Sequence, residues 1–311
     1  MVPPDVAKLR AEFQGPHELV TASDGKILFL RHWPGAAGSG PAVLIFHGIT
    51  AYSEPYGKLL AEELAAAGFD VFGMDLRGHG RSDGVRGDLP GADRLWKDLC
   101  ETIGFLKTKF PRIVVLGHSL GVLSAMIAEN HCPEAIDGLI LLSVGRQVRP
   151  GAYGKPSGRA VLRTLLAITL LRSRPLIEYR RKGMLGLNDP LFNFRYSAHF
   201  YTAMYGMPAG AVVRMVRQNV IDSPNLTASR PLAVPVLVGV GDQDELFSVD
   251  SSRAFFNSLN GSCKEFFVVP GGHHASFPSG SWSPVVTWLR TQFPGSAIGP
   301  IEEKRRADPR N

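Results

Sequence analysis

The sequence is poor in cysteine and has no long hydrophobic run. Its three cysteines, Cys100, Cys132 and Cys263, lie far apart among 311 residues and show no Cys-x-x-Cys spacing. This pattern argues against a disulfide framework and against a zinc site, so we expect three unpaired thiols in a reducing compartment. The apolar stretches fall short of the roughly 20 residues that cross a bilayer. Residues 1–13 have no apolar segment of the kind found in signal peptides, and we expect a cytoplasmic protein.

The chain also lacks the motifs of phosphate and nucleic-acid binding. Arg77, His79 and Arg81 are not accompanied by a Gly-x-x-x-x-Gly-Lys-Ser/Thr loop, so we interpret them as parts of a structural loop. Residues 146–230 hold 14 lysines and arginines against three acids, while the whole chain carries a net charge of +6. No known reader motif accompanies this basic segment, and we expect no nucleic-acid partner. We expect no metal and no organic cofactor either.

Hydrophobic residues make up 44% of the sequence and charged residues 20%, as in soluble globular enzymes. Short apolar runs alternate with segments of helical periodicity, and the runs lie at 42–46, 70–74, 113–116, 139–142, 235–240 and 266–269. Two earlier strands flank Asp24-Gly25, a pair that is favoured in tight hairpin turns. The alternation predicts an α/β fold with a mostly parallel central sheet that is covered by helices on both faces.

The alternation breaks after Val144 and resumes near Arg230. We therefore predict a core made of residues 1–144 and 231–296, an inserted helical cap or lid at 145–230, and a polar tail at 297–311. The cap is expected over the carboxyl ends of the strands, where open α/β sheets place their binding sites.

The most informative motif is Gly117-His118-Ser119-Leu120-Gly121, which follows an apolar run and precedes a helical pattern. A Gly-x-Ser-x-Gly segment between a strand and a helix predicts a nucleophile elbow, whose glycines leave room for a sharp turn. Ser119 would stand at the tip of the strand with a helix N-terminus behind it, which favours developing negative charge.

An activated serine needs a base, and the base needs an orienting acid. Two loops at later strand ends offer two candidates each, namely Asp242 or Asp244 and His273 or His274. We favour Asp244 and His274, because Gly-x-x-Asp and Gly-x-x-His spacings let the chain turn before it presents the side chain. Asp242 and His273 stay as the alternatives.

The negative charge that forms on a substrate oxygen needs two backbone N–H donors. We expect one from Leu120, directly after the serine, and the other from Ile49, in the loop after His47-Gly48. His47 itself is interpreted as a structural residue that fixes this loop.

These motifs together resemble the monoacylglycerol lipase and lysophospholipase branch of the α/β-hydrolase superfamily. The matching segments are His47-Gly48, Tyr56, Gly68, the run Asp75-Leu76-Arg77-Gly78-His79-Gly80-Arg81-Ser82-Asp83-Gly84, and the elbow. The Arg-Gly-His-Gly-x-Ser run is the most specific of them, and the match covers roughly residues 16–144 and 231–293. The resemblance implies the α/β-hydrolase fold, a Ser119, Asp244 and His274 triad, and oxyanion donors at Ile49 and Leu120.

The resemblance also implies a serine carboxylic-ester hydrolase that forms an acyl-enzyme and takes esters with apolar acyl chains, monoacylglycerol foremost. One departure concerns glycerol. Close relatives of the monoglyceride lipases have an acid-histidine pair soon after His-Gly, whereas residues 49–54 read Ile-Thr-Ala-Tyr-Ser-Glu here. Lysophospholipases, thioesterases and carbon–carbon bond hydrolases share the catalytic frame and stay as alternatives. A proline iminopeptidase or a non-catalytic binding protein fits less well, because the acids of the predicted cap are widely spaced and every triad position is filled.

The predicted cap contains a leucine-rich segment, 160–172, with flanking arginines. As a helix it would have a broad apolar face and basic ends, the composition of a segment that lies at a membrane interface. We expect it to line an acyl-sized pocket and to contact lipid surfaces transiently, so that the protein would be peripheral on membranes. A helix buried on the core is the alternative. Leu165, Ile168, Phe200 and Met204 are the predicted substrate-binding residues, although the aromatic side chains of residues 192–207 also suit cap packing.

Overall fold

The computed structural model describes residues 5–36, 40–153, 155–179 and 189–294. Its central sheet has eight strands in the order β1-β2-β4-β3-β5-β6-β9-β10, and β7 and β8 form a separate two-stranded sheet. The strands are β1 (His17–Thr21), β2 (Ile27–Trp33), β3 (Ala42–Phe46), β4 (Val71–Met74), β5 (Ile113–His118), β6 (Gly138–Leu142), β7 (Ile177–Glu178), β8 (Arg195–Tyr196), β9 (Val236–Gly241) and β10 (Lys264–Val269). The predicted tail at 297–311 lies outside the described residues.

The helices of the described ranges are α1 (Val6–Ala11), α2 (Glu62–Ala66), α3 (Ala92–Lys107), α4 (Gly121–His131), α5 (Gly158–Thr169), α6 (Ala198–Tyr205), α7 (Ala209–Arg217), α8 (Val249–Ser258) and α9 (Ser283–Gln292). A π-helical turn, Gly57–Ala61, precedes α2, and 3-10 turns lie at Pro133–Ala135 and Pro224–Leu226. Within the described residues, no helix combines the length and the apolarity that a bilayer crossing requires.

The central strands are apolar on both faces because helices cover both sides of the sheet. Along β3, Leu44 packs in one core cluster, while Val43 and Ile45 pack in the cluster on the opposite face, as the two-residue period of a strand requires. Strands β3, β4, β5, β6, β9 and β10 are mutually parallel, and at one edge β2 runs antiparallel to both of its neighbours, β1 and β4. The predicted α/β-hydrolase architecture is therefore confirmed. The hairpin at Asp24-Gly25 is confirmed as well, and Gly25 supplies its positive φ of 78°.

Between β6 and β9 the chain forms α5, the β7–β8 ladder, α6 and α7. Helix α6 packs against α3 and α4, and its side chains Phe200 and Met204 are fully buried. Helix α5 differs, since Val161, Leu162 and Leu165 on it are 43–58% exposed. The division of the chain into a core and a cap domain stays a prediction.

The expectation of three unpaired thiols is wrong. Cys100 of α3 and Cys132, which directly follows α4, form a disulfide with Cα atoms 5.9 Å apart, and Cys263 is free and exposed. The two bonded residues are separated by 32 positions in the sequence. Helices α3 and α4 pack side by side, which brings the two sulfur atoms together without any local spacing motif.

Candidate active site

Ser119 lies in a sharp turn between β5 and α4. Its φ is +55°, in the left-handed region that costs a non-glycine residue about 1–3 kcal/mol. Its N–H donates to the carbonyl oxygen of Leu142 on β6 at 2.9 Å. A Cβ atom on Gly117 would lie 2.5 Å from the carbonyl oxygen of Gly121, and a Cβ atom on Gly121 would overlap the carbonyl oxygen of Phe46. Close approach of backbone therefore requires both glycines, as the motif predicts.

The structure brings His274 and Asp244 to Ser119. His274 Nε2 lies 2.9 Å from Ser119 Oγ, and His274 Nδ1 lies 2.9 Å from Oδ2 and 3.1 Å from Oδ1 of Asp244. The two residues come from loops after β9 and β10, which are neighbouring parallel strands. In this arrangement the carboxylate can orient the imidazole, and the imidazole faces the serine hydroxyl.

The carboxylate of Asp244 is 1% exposed and has several hydrogen-bond donors. Leu246 N–H and Phe247 N–H donate to its Oδ1 at 2.8 and 2.9 Å. Burial acts to raise the pKa of Asp244, but the charge and hydrogen bond of His274 and the two N–H groups outweigh it, so the pKa lies below its ordinary value. An ionised carboxylate is thus in place to stabilise positive charge on His274.

The alternative candidates make other contacts. Asp242 Oδ1 accepts the Gly271 N–H at 2.8 Å, and His273 Nδ1 lies 3.0 Å from Glu245 Oε1 with both side chains about half exposed. The second oxygen of Glu245 accepts the N–H of His274 at 2.9 Å. The geometry thus favours Asp244 and His274 for the contacts with Ser119.

Residues 47–50, here called the β3 loop, pass directly beside the serine. A Cβ atom on Gly48 would lie 3.2 Å from Ser119 Cβ. His47 is buried: its Nδ1 donates to the Gly48 carbonyl oxygen at 2.9 Å, and its Nε2 accepts the Leu76 N–H at 3.2 Å. Burial lowers the pKa of His47 to about 4, so it is a neutral residue that holds the loop.

Leu120 directly follows Ser119 in the sequence, and Ile49 follows Gly48 in the β3 loop, which passes beside Ser119. Across the described part of the chain, the backbone N–H of neither Ile49 nor Leu120 donates a hydrogen bond to another residue. Ile49 also lines the cavity in which Ser119 lies. Within the described residues both N–H groups thus lack an acceptor, as an oxyanion donor requires.

Residues between β6 and β9 hold the far side of the β3 loop. Thr50 has a φ of +71°, its N–H donates to the Tyr196 hydroxyl at 2.7 Å, and its carbonyl oxygen accepts the Asn193 N–H at 2.9 Å. The Tyr196 hydroxyl in turn donates to the Asn193 carbonyl oxygen at 2.9 Å. Sequence reasoning placed Tyr196 only within an aromatic stretch and missed Asn193, because no motif marks a contact between segments so distant along the chain.

A cavity of about 330 Å³ opens onto Ser119 and His274. The β3 loop and the residues that follow it form one wall, and side chains from between β6 and β9 form part of another. The lining residues are Gly48, Ile49, Thr50, Ala51, Pro55, Tyr56, Leu59, His118, Ser119, Tyr179, Phe192, Glu245, His274, Ala275 and Ser276.

The four predicted substrate-binding residues do not line this cavity. Phe200 packs against the rings of Tyr196 and His79, and the Met204 sulfur lies 3.8 Å from Ser124 Oγ. Ile168 is partly buried against the core, and Leu165 is 51% exposed. The apolar surface of α6 is used for packing on α3 and α4, which is the alternative that the aromatic pattern left open.

The loop after β4 is held by ion pairs. Arg77 donates to both oxygens of Asp98 at 2.6 and 2.8 Å, and to Asp24 Oδ1 at 3.0 Å. Ser53 N–H and Arg81 N–H donate to the two oxygens of buried Asp75. These contacts agree with a structural interpretation of the Arg-Gly-His-Gly-x-Ser run.

Comparison with known proteins supports the family resemblance. The model of the hydrolase family described as "Serine aminopeptidase, S33" matches residues 39–278. The chain is 28% identical over 266 residues to the uncharacterized protein YnbC of Escherichia coli (strain K12). The aligned region covers 82% of this chain and 42% of that protein. The chain therefore spans less than half the length of that relative.

Two further similar proteins are named as monoacylglycerol lipases. The chain is 25% identical over 256 residues to the monoacylglycerol lipase of Mycolicibacterium smegmatis, and the aligned region covers 76% of this chain and 81% of that protein. The crystal structure of Paleococcus ferrophilus monoacylglycerol lipase has a TM-score of 0.58 at 24% identity and covers 85% of this chain and 99% of that one. At this identity the structural likeness shows the fold alone.

Proposed function

We propose that this chain, which belongs to the hydrolase family described as serine aminopeptidase S33, is a serine hydrolase of carboxylic esters with apolar acyl chains, most like a monoacylglycerol lipase. The proposal rests on one observation above all: Ser119 Oγ, His274 and Asp244 form a continuous series of contacts of 2.9 Å beside an open cavity. The similarity to a protein named monoacylglycerol lipase supports the class of substrate.

The proposed reaction has two steps. His274 Nε2 takes the Ser119 Oγ proton while Oγ attacks the ester carbonyl carbon, and the Ile49 and Leu120 N–H groups donate to the oxyanion that forms. Asp244 stabilises the imidazolium, which then protonates the departing alcohol and leaves an acyl-enzyme. A water molecule gives its proton to His274 and attacks the acyl carbon, and Ser119 recovers its proton as the acid is released.

The cavity suits an ester with an apolar chain. Its volume of about 330 Å³ lies at the lower end of the range for ligand pockets, about 300–1,000 Å³. Leu59, Tyr179 and Phe192 supply apolar surface, while Thr50 and Ser276 add hydroxyl groups. These features support an acyl chain on apolar walls with the alcohol part near hydroxyl groups.

The proposal includes transient contact of the α5 region with anionic lipid surfaces. Leu162, Leu170 and Leu171 are 58%, 76% and 43% exposed, and the nearby Arg159 and Arg172 are exposed as well. Exposed leucines beside arginines are typical of segments that lie in the headgroup region. Leu162→Asp should therefore reduce co-sedimentation with vesicles of anionic phospholipid, whereas Val85→Asp, at an exposed residue of another loop, should not. Equal binding of both variants would contradict this part of the proposal.

The family description brings a second candidate, hydrolysis of an aminoacyl bond. Its supporting observation is the Glu245 carboxylate in the cavity wall, since a carboxylate can bind a substrate amino group. That carboxylate already accepts the His274 N–H and contacts His273, which favours the ester over the amine. Aminoacyl p-nitroanilides in the assay below distinguish the two candidates.

The deciding experiment is hydrolysis of p-nitrophenyl esters from acetate to palmitate, with 1-monoacylglycerols alongside. Ser119→Ala should lose at least about 10³-fold in kcat, while Ser281→Ala, which removes a hydroxyl that donates to the Pro278 carbonyl oxygen, should match the wild type. Turnover that peaks at medium or long chains and includes monoacylglycerol would support a lipid esterase. Activity on acetate alone would contradict the apolar acyl chain, and full activity of Ser119→Ala would contradict the serine mechanism.

The same assay covers the other reactions of this catalytic frame. Lysophospholipids, acyl thioesters and carbon–carbon substrates enter as parallel reactions with the same two variants. If kcat/KM were higher for any of these substrates than for monoacylglycerol, the proposed leaving group or bond type would change to that of the better substrate. The serine mechanism would be kept.

A further inference from the structure

A chain of hydrogen bonds connects the β3 loop to the loop that carries His274. Gly48 N–H donates to Tyr56 Oη at 2.8 Å, Tyr56 Oη lies 2.8 Å from His118 Nδ1, and His118 Nε2 lies 2.8 Å from the carbonyl oxygen of His274. Tyr56 and His118 are each 3% exposed. Three segments far apart in sequence thus meet through two buried side chains.

The chemistry of the end groups determines where each proton lies. A backbone N–H can only donate, so Tyr56 Oη accepts from Gly48; the hydroxyl proton of buried Tyr56 still needs an acceptor, and His118 Nδ1, 2.8 Å away, can supply it. A carbonyl oxygen can only accept, so His118 must carry its proton on Nε2 to reach His274. Burial raises the pKa of Tyr56, which keeps its hydroxyl protonated. In this arrangement the bonds run in one direction from Gly48 to His274, with Nδ1 of His118 as an acceptor and its Nε2 as a donor.

Both ends of this chain belong to the proposed catalytic groups. Gly48 directly precedes Ile49, whose N–H is a proposed oxyanion donor, and the carbonyl at the other end is that of the proposed base, His274. His118 directly precedes Ser119. A displacement of about 1 Å between reacting groups can lower a rate by about 10²-fold, so a link that fixes these three groups to one another has a direct effect on rate.

We propose that Tyr56 and His118 are positioning residues that hold the oxyanion donor of the β3 loop and the base in a fixed relation to Ser119. Their effect on rate rests on the proposed function. The hydrogen-bond chain itself is observable without a substrate, through the position of the proton on His118.

The test uses two variants that break the chain at different points. Tyr56→Phe keeps the buried ring and removes the hydroxyl, so Gly48 and His118 both lose their partner. His118→Asn keeps a short acceptor for Tyr56 and lacks a group that reaches the His274 carbonyl oxygen. The control is Tyr205→Phe, which removes one hydroxyl from another buried tyrosine, in α6. Thermal melting of each variant checks that the fold is kept.

In ester hydrolysis, Tyr56→Phe should lower kcat by about 10- to 100-fold and change KM by less than about threefold. The double variant Tyr56→Phe with His118→Asn should be within about twofold of the worse single variant, because both act through one chain. Affinity for an alkyl trifluoromethyl ketone, whose adduct with Ser119 carries an oxyanion, should fall as kcat falls. Tyr205→Phe should match the wild type.

Histidine-labelled ¹⁵N NMR is the second readout and requires no turnover. The wild type should show His118 with its proton on Nε2, facing the His274 carbonyl oxygen, and with Nδ1 as a hydrogen-bond acceptor. In Tyr56→Phe the proton should stay on Nε2, and the Nδ1 resonance should shift toward that of an imidazole nitrogen that accepts no hydrogen bond. In the NMR experiment, a proton on Nδ1 of His118 or a charged His118 in the wild type would overturn the inference. In the kinetic experiment, losses of kcat that multiply in the double variant, or a kcat of Tyr56→Phe within twofold of the wild type, would overturn it as well. If the wild type hydrolysed no ester, the proposed function would fail, while the NMR result would still decide whether the chain exists.

Discussion

Replacing Asp244 by asparagine should remove most of the activity and leave the fold intact. An asparagine Oδ1 would keep the hydrogen bonds that Leu246 N–H and Phe247 N–H now make to Asp244 Oδ1 at 2.8 and 2.9 Å. Its Nδ2 would then replace Oδ2, which lies 2.9 Å from His274 Nδ1. Because an amide NH₂ only donates, His274 would present a lone pair at Nδ1 and carry its proton on Nε2.

That tautomer cannot accept the Ser119 proton, and no carboxylate charge remains to stabilise an imidazolium. The corresponding change in a serine protease lowers kcat by about 10⁴-fold, which is about 5.5 kcal/mol at 1.36 kcal/mol for each factor of ten. We expect a loss of the same order here. KM should change little, because Asp244 lies behind His274 and not in the cavity wall.

The assay is steady-state hydrolysis of a p-nitrophenyl ester, with the active sites counted by a fluorophosphonate in the wild type. Asp242→Asn is the matched control, since asparagine can still accept the Gly271 N–H; we expect a change within about twofold. A loss of less than tenfold for Asp244→Asn, or an equal loss for Asp242→Asn, would refute the assignment of the acid.

Three further predictions concern stability. Gly121→Ala should lower the melting temperature and the soluble yield, because its Cβ would overlap the Phe46 carbonyl oxygen, whereas Gly104→Ala, with no atom within 4 Å of the new Cβ, should stabilise α3 by about 0.5–1 kcal/mol. Cys100→Ser should lower the free energy of unfolding by about 3–4 kcal/mol, which is the loop-closure value for a bond between residues 32 positions apart. An unchanged midpoint of urea unfolding under oxidising conditions would count against the disulfide. The pKa of Asp83 lies below its ordinary value, because the hydrogen bond from Ile27 N–H and the hydrogen bond and charge of Arg10 outweigh the effect of burial. Its stabilising effect is therefore complete above the unfolded pKa near 4 and is lost as the pH falls through the folded pKa. The free energy of unfolding of Asp83→Asn should depend less on pH in this acid range, and an unchanged pH dependence would contradict the prediction.

The fold and the serine were predictable because their determinants are local. Strands β3, β5, β6 and β9 were predictable because each is a short, continuous apolar run, which is typical of a buried strand. The elbow was predictable because the turn itself requires its glycines. The pairs Asp242 or Asp244 and His273 or His274 could be placed at strand ends by the same reasoning. Which member of each pair meets Ser119 depends on how two loops turn, and that was a matter of preference.

Contacts between distant segments were decided by the tertiary structure alone. The Cys100–Cys132 disulfide depends on how α3 packs beside α4, and neither helix sequence contains a signal for it. Phe200 and Met204 are apolar, and an apolar side chain suits core packing and substrate binding equally well, so the sequence could not distinguish the two roles. In the structure α6 buries both side chains against the core. The hydrogen-bond chain through Tyr56 and His118 joins three segments, one of them the end of β5, that converge only when the parallel sheet forms. The sequence by itself thus determined the elements and the chemistry of single residues, since both depend on neighbours within a few positions. Partners 30 to 156 positions away were determined only by the packing of the folded chain.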